Sequence, residues 1–262
     1  MIWQNVKFNF SGKSPIEVSQ EIDGYRTEIG LDSDIIIINN IGKVDVVSAE
    51  DAVAIAKGIA DKFLNKLSWK HNFATEIKKG WSVEYIEPDS AKKRIKVMVC
   101  CDTCRTIRTE KSYKIKITEA SFDAESYFRR GALSKDCFEK FRNFYLVAEN
   151  ISSFICQKKN VGEIKEQPML ELGLQECVQN KLLDLENQAK ELGIVVKQSE
   201  IIQDVASYLY KENRCCLNHA KEGEKKKVPF NLKDEESVKK ALPLMECVAK
   251  SFLAYAEKIS AP

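Results

Sequence analysis

The second half of the chain is organised around a stretch late in a predicted helix, Asn213-Arg214-Cys215-Cys216-Leu217-Asn218-His219-Ala220. His219 is one of only two histidines in 262 residues. A neutral imidazole can take the proton of a ribose 2′-hydroxyl, and a guanidinium can hold the negative charge that develops on an attacked phosphate. Arg214 and His219 are therefore sufficient, as chemical groups, to cut RNA without a metal.

Helices are predicted on both sides of this stretch, because apolar residues recur at helical spacing from Ala124 onward. Pro243 in the last of them predicts a kink or two abutting helices. Four amphipathic helices of this length predict a four-helix bundle. They are a helix capped by Ser134 with the apolar stripe Phe138, Phe141, Tyr145, Ala148, Ser152 and Ile155, a helix from about Leu170 to Leu192 that Gly193 stops, a helix from Ser199 to Gly223, and a helix from Val238 to Ile259.

The arginine, the four intervening residues and the histidine are followed by a polar loop and a last amphipathic helix. This arrangement resembles a HEPN domain (higher eukaryotes and prokaryotes nucleotide-binding), and the resemblance covers roughly residues 121–262. It implies a metal-independent endoribonuclease that leaves 2′,3′-cyclic phosphate ends. His219 is then the general base or acid, Arg214 stabilises the phosphorane, and Asn213 and Asn218 position the phosphate.

A homodimer follows from the same resemblance. Five residues span about 500° on an ideal helix, so Arg214 and His219 project about 140° apart and one helix does not bring them together. In HEPN ribonucleases two bundles pair about a two-fold axis, and both motifs converge on one cleft. Such enzymes serve in toxin–antitoxin and anti-phage defence systems, so an antitoxin or another defence-system protein is an expected partner besides RNA.

Cys215 departs from the HEPN pattern, because active members usually carry a polar residue directly after the arginine. A thiol is a poor hydrogen-bond donor. The alternative hypothesis is therefore a catalytically inactive HEPN-like module that binds a nucleotide or a protein. The plainest interpretation of the motif is that Arg214 and His219 are a solvated pair at the end of a helix.

Residues 1–120 predict a separate α+β domain, whose role is sensing, docking or RNA selection; the boundary lies near residues 118–124. A helix capped by Ser48 to about Leu67 is its clearest element. Strands are predicted at Val6 to Phe10, at Ile35 to Ile38 with both faces buried, at Lys43 to Val47, and in a hairpin of Arg94 to Cys101 with Tyr113 to Thr118.

Positive charge is concentrated in this hairpin although the net charge is only +2. Residues 92–116 hold nine basic and two acidic side chains. Four basic residues on the polar face of the two strands form a candidate RNA-binding patch; a solvated sheet face with lysines at its edge is the alternative. They are Arg94, Lys96, Lys114 and Lys116. The aromatic stretch from Trp69 to Trp81 predicts core packing rather than base stacking.

The composition argues against a membrane-spanning protein and against a secreted one. A hydrophobic fraction of 44% and a charged fraction of 31% are typical of a globular protein, and no apolar run approaches a membrane span. Nine cysteines without a framework spacing and the lack of a secretory signal predict a cytoplasmic protein. Cys101 and Cys104 have zinc-knuckle spacing, but a second such pair is missing from the sequence, so we expect no metal and no cofactor. A metal-binding regulator remains a third hypothesis.

Overall fold

The structure is a computed structural model that describes residues 2–39, 41, 48–86, 93–98, 123–191, 200–218, 226–229 and 231–260. It divides into two compact units, Met1–Ser121 and Phe122–Pro262. The first unit is built on an antiparallel sheet, and the second is helical.

The sheet of the first unit has six strands in the order β2-β3-β4-β1-β5-β6, and each neighbouring pair is antiparallel. The long helix α1 packs against β1, β3, β4 and β5. The strands are β1 (Ile2–Phe10), β2 (Val18–Ile22), β3 (Tyr25–Ile29), β4 (Ile35–Asn39), β5 (Ile77–Ile86) and β6 (Lys93–Met98), and the helix is α1 (Ala49–Lys70).

Alternation along β1 places Val6, Phe8 and Phe10 in the core, as the sequence predicts. The prediction that Ile35 to Ile38 is buried on both faces is wrong. Ile36 and Ile38 are fully buried, whereas Ile35 and Ile37 are partly exposed. The physical reason is that α1 covers one side of the sheet, so only every second residue of β4 meets it. Phe73, from the aromatic stretch, packs edge-on against Phe10 in this core.

Helix α1 begins where its cap predicts. The Ser48 hydroxyl accepts a hydrogen bond from the Asp51 amide at 3.1 Å and lies 2.7 Å from the Asp51 carboxylate. The helix runs to Lys70, three residues beyond the predicted end. A cap that satisfies a free amide of the first turn fixes the start of the helix, while the end depends on tertiary packing.

The hairpin β2–β3 was not predicted. Asp23 and Gly24 join the strands with φ angles of 51° and 80°, which is the left-handed conformation that a two-residue hairpin turn requires. Strand β6 forms one half of the predicted second hairpin. Its partner at residues 113–118 and the strand predicted at residues 43–47 lie outside the described residues.

The second unit consists of helices, with α3 at its centre in contact with α2, α4 and α8. A π-helical segment, Tyr208–Cys215, separates α6 from α7. The helices are α2 (Asp123–Leu133), α3 (Cys137–Lys158), α4 (Glu166–Gln179), α5 (Leu185–Glu191), α6 (Ile201–Ser207), α7 (Cys216–Asn218) and α8 (Leu232–Ser260).

The six-residue stripe predicted for α3 is buried. The predicted cap is wrong, because Asp136 rather than Ser134 caps this helix. The Asp136 carboxylate accepts a hydrogen bond from the Glu139 amide at 2.8 Å. The second predicted helix is divided into α4 and α5. Asn180 ends α4 by donating to the Glu176 carbonyl, and Lys181 follows with φ +58°, a conformation that an α-helix cannot contain.

Helix α8 is continuous through Pro243, so of the two predicted alternatives, a kink or two abutting helices, the second is wrong. The Pro243 side chain is exposed. On the solvent face, water can bind the carbonyl that loses its amide partner, which lets the helix continue. The Ser199 cap of the third predicted helix lies outside the described residues, and that helix begins at Ile201 after Glu200.

Candidate functional site

The candidate site is built on the π-helical segment. Two side chains bond to carbonyls five residues earlier, as the wider π turn allows. Asn213 Nδ2 donates to the Tyr208 carbonyl at 3.0 Å, and Cys216 Sγ donates to the Lys211 carbonyl at 3.2 Å. The predicted angle between Arg214 and His219 assumed a regular α-helix, whereas Arg214 lies in a π segment, which has more residues per turn.

Arg214 is held by one carboxylate and two aromatic rings. Its Nε lies 2.7 Å from Oε1 of Glu166, the first residue of α4. Its guanidinium carbon lies 5.9 Å from the centre of the Tyr145 ring and 5.9 Å from the centre of the Tyr210 ring. Such contacts fix the plane of a guanidinium as well as its position.

The contact given for Arg214 and Glu166 joins Nε to Oε1, and the Arg214 guanidinium forms no hydrogen bond with another described residue. Oε1 of Glu166 is itself buried and accepts no well-formed hydrogen bond, so this close contact is an ion pair without hydrogen-bond geometry. A guanidinium in this state keeps hydrogen-bond donors for a ligand, and its terminal nitrogens are the donors that bind phosphate in a two-pronged manner.

A cleft of about 110 Å³ lies beside Arg214, between α3 and the end of the π segment with α7. Its walls combine apolar and aromatic side chains with two cations and one carboxylate. The lining residues are Phe141, Arg142, Tyr145, Leu146, Glu149, Arg214 and Leu217. A small cleft of this kind suits a ligand that has both a flat or apolar part and a negative charge.

Burial and charge shift the titration of the acids in this cleft. Burial, and next the negative charge of Glu166, raise the pKa of Glu149, while Arg214 acts in the opposite direction. Burial and the same glutamate raise the pKa of Tyr145 far above its ordinary value. Tyr145 is therefore a neutral phenol at physiological pH, and Glu149 holds a proton more readily than a solvated carboxylate does.

Of the predicted site residues, the structure places Arg214 at the cleft. Asn213 is fully buried, and its amide oxygen accepts from Lys227 Nζ at 2.5 Å. Asn213 thus stabilises the π segment, and its part in positioning phosphate stays a prediction. The side chain of Asn218 and the whole of His219 lie outside the described part of the chain.

The basic patch is described only at Lys96 among its side chains. Lys96 lies opposite the buried Val83 and forms an exposed ion pair of 2.5 Å with Glu50 in the first turn of α1. Residues opposite each other across a strand pair share a face of the sheet. Lys96 therefore lies on the side covered by α1 rather than on the open polar face, and the patch remains a prediction for Arg94, Lys114 and Lys116.

Glu149 and Glu166 were not predicted as site residues, and Tyr145 was predicted only as a core residue. Glu149 is four residues after Tyr145 on α3, so the two share one side of the helix. That spacing was visible in the sequence. The pairing of Arg214 with Glu166 was not, because it joins residues 48 positions apart that carry no common motif.

The fold and the cleft define a protein with an antiparallel sheet unit and a helical unit that has a candidate anion-binding site. A family model described as "Methylamine utilization protein MauJ" matches residues 124–254, within the helical unit. The chain belongs to the MauJ family. Searches among curated proteins and among solved structures found no match.

The described residues form neither a membrane span nor a metal-binding cluster. No helix in the described ranges has the length and apolarity needed to cross a membrane. The described residues hold no group of three or more His, Cys, Asp or Glu side chains that could bind a metal ion, and the Cys101–Cys104 pair lies outside them.

Proposed function

We propose that the helical unit is a HEPN-like four-helix bundle and that the protein is a metal-independent endoribonuclease of a toxin or anti-phage defence type. The observation that carries this proposal is the state of Arg214. Its side chain lies beside a cleft with Nε 2.7 Å from Glu166, and its guanidinium forms no hydrogen bond with another described residue.

The chemistry follows from that arrangement. A phosphate that enters the cleft binds the two terminal nitrogens of Arg214 without first rotating the side chain. Because the guanidinium is already fixed, it stabilises the extra negative charge of the phosphorane at a small entropic cost. His219, five residues further along the sequence, supplies the proton transfer that the HEPN resemblance assigns to it.

A homodimer completes the proposed site. In the HEPN arrangement, two copies place both arginine–histidine pairs in one cleft around a two-fold axis. Sedimentation of the full chain at micromolar concentration tests this part, and a monomer at those concentrations would argue against it.

The family description names methylamine utilization, and methylammonium is a cation. Both guanidinium groups that line the cleft have a carboxylate nearby, Arg142 at 3.6 Å from Glu139 and Arg214 at 2.7 Å from Glu166. The anionic ligand proposed here rests on Arg214 and on the HEPN resemblance, and methylamine utilization stays the description of the family.

The second candidate function is a catalytically inactive HEPN-like module that binds a nucleotide or a partner protein. Two observations favour it: Cys215 stands where active HEPN proteins carry a polar residue, and Glu166 offsets the charge of Arg214. An inactive module would still bind a nucleotide through Arg214, so binding alone does not separate the two functions.

An RNA-cleavage assay distinguishes the ribonuclease from the inactive binding module. Wild-type protein and His219→Ala are incubated with total RNA and transfer RNA in EDTA, and the product ends are analysed. We expect EDTA-resistant cutting by the wild type, 2′,3′-cyclic phosphate ends, and no cutting by the variant. RNA binding without cutting by either protein would favour the inactive module.

A further inference from the structure

Glu149 is a carboxylate that the proposed ribonuclease has not yet used. It follows Tyr145 by one helical turn on α3 and lines the same cleft as Arg214. Its side chain is half-buried and forms no hydrogen bond or ion pair with other described residues. Because the Glu149 carboxylate lies in the cleft without such a partner, it is available to a ligand. The Glu166 carboxylate, by contrast, is paired with Arg214.

We propose that Glu149 is the general base of the reaction and accepts the proton of the ribose 2′-hydroxyl. This inference rests on the proposed ribonuclease function and deepens it. A carboxylate that binds this hydroxyl also selects RNA over DNA, because the 2′-hydroxyl is the group that distinguishes them. His219 is then left with the role of general acid.

The groups that face Glu149 explain its suitability. Arg142 and Tyr145 are on its own helix, Glu166 approaches from α4, and Arg214 from the π segment. Burial and the charge of Glu166 raise the pKa of Glu149, and Arg214 partly offsets them. A base with a raised pKa accepts a proton more strongly once it is ionised, which favours proton transfer near neutral pH.

The other acids that face this site are unsuited to the role. Tyr145 has a raised pKa and keeps its proton at physiological pH. Glu166 would have to leave Arg214 before it could reach a substrate hydroxyl. Glu149 is therefore the base that the described part of the cleft offers.

The proposed step is balanced in atoms and electrons. The 2′-O–H bond breaks, its proton passes to the Glu149 carboxylate, and the 2′-oxygen forms a bond to phosphorus. The bond between phosphorus and the 5′-oxygen then breaks, and this oxygen leaves with the electron pair and takes a proton from the imidazolium of His219. The products are a 2′,3′-cyclic phosphate and a 5′-hydroxyl, and Arg214 holds the charge on the phosphorane between these events.

The test is single-turnover cleavage of an RNA oligonucleotide between about pH 4.5 and pH 8 by the wild type, Glu149→Gln and Glu149→Asp. Glu163→Gln is the matched control, because Glu163 is an exposed residue of the same unit and the substitution removes the same charge. We expect Glu149→Gln to lower the rate about 10²- to 10⁴-fold. The same substitution should also abolish the rise of the cleavage rate with pH on the acid side of the pH–rate profile. Glu149→Asp retains that rise with part of the rate, and the control matches the wild type.

Affinity is measured with an oligonucleotide that carries a 2′-deoxyribose at the cleavage site and cannot be cut. We expect Glu149→Gln to bind it within about threefold of the wild type, because this oligonucleotide lacks the 2′-hydroxyl that Glu149 contacts. If Glu149→Gln cuts at the wild-type rate with the same pH profile, or loses binding in proportion to cleavage, the inference is wrong while the ribonuclease stands. If the wild type does not cut, the proposed function fails and this inference with it.

Discussion

The Nε atom of Arg214, near the end of the π segment, lies 2.7 Å from Oε1 of Glu166, the first residue of α4. The two side chains are 25% and 21% exposed, so water screens the pair less than it screens a surface ion pair. The contact orients the guanidinium, and its two members act in opposite directions on Glu149, whose pKa is raised by burial and by the charge of Glu166 and lowered by the charge of Arg214.

The first prediction concerns Glu166→Gln. Loss of the carboxylate leaves Arg214 less well oriented, so cleavage should fall about tenfold, while RNA affinity stays the same or rises because a negative charge has gone. The charge of Glu166 raises the pKa of Glu149, so its removal should move the acid side of the pH–rate profile to lower pH. A profile that moves to higher pH would contradict the electrostatic account.

The second prediction concerns Lys227, whose amide donates to the Cys216 carbonyl at 2.8 Å and whose ammonium donates to Asn213. Lys227→Met keeps the backbone bond but leaves the buried Asn213 oxygen without this donor, so the free energy of unfolding should fall by about 1–3 kcal/mol. Lys226→Met, at the exposed neighbouring residue, should change it very little. Urea unfolding of both variants measures the difference, and equal stabilities would show that the contact is unimportant.

The third prediction uses two glycines in helices. A methyl group at Gly173 would lie 2.6 Å from Cε2 of Phe252 and 3.0 Å from the Ser152 hydroxyl. Gly173→Ala should destabilise the helical unit by about 1–3 kcal/mol through overpacking. Gly58→Ala meets no atom within 4 Å and should stabilise the first unit by about 0.4–1 kcal/mol. Thermal unfolding reports both, and effects of the same sign would refute the packing described here.

The fourth prediction is acid destabilisation of the helical unit through Glu176. Burial acts to raise the pKa of this carboxyl, but Lys159 at 2.8 Å and the Tyr255 hydroxyl at 2.5 Å together lower it. A lowered folded-state pKa gives stability that is present above the ordinary value of 4.5 and is lost as pH falls through the folded value. Glu176→Gln should flatten this loss of stability below about pH 4.5. An unchanged pH dependence would assign the loss to other groups.

Local chemistry accounts for the elements that the sequence predicted well. The Ser48 cap and the apolar stripe of α3 are decided by neighbours within one or two helical turns, so the pattern of residues was enough. The β2–β3 hairpin had an equally local signal in Asp23–Gly24, which was overlooked.

Elements that depend on packing could not be predicted in the same way. The division at Lys181, the continuity of α8 through Pro243 and the π segment before Arg214 each depend on what lies against the helix. The residues of the candidate site show the same contrast between local sequence and tertiary packing. Arg214 was predicted from its motif, whereas the proximity of Glu149 and Glu166 to it depends on how α3, α4 and the π segment come together in the fold.

The central claim is that Arg214 is the phosphate-binding group of a metal-independent ribonuclease. The most direct test is cleavage of transfer RNA in EDTA by the wild type, Arg214→Ala and Lys211→Ala, where Lys211 is an exposed cation of the same π segment. We predict that the wild type and Lys211→Ala cut and leave 2′,3′-cyclic phosphate ends, and that Arg214→Ala cuts at least about 100-fold more slowly. A wild type that does not cut in EDTA, or an Arg214→Ala variant that cuts as fast as the wild type, would contradict the account.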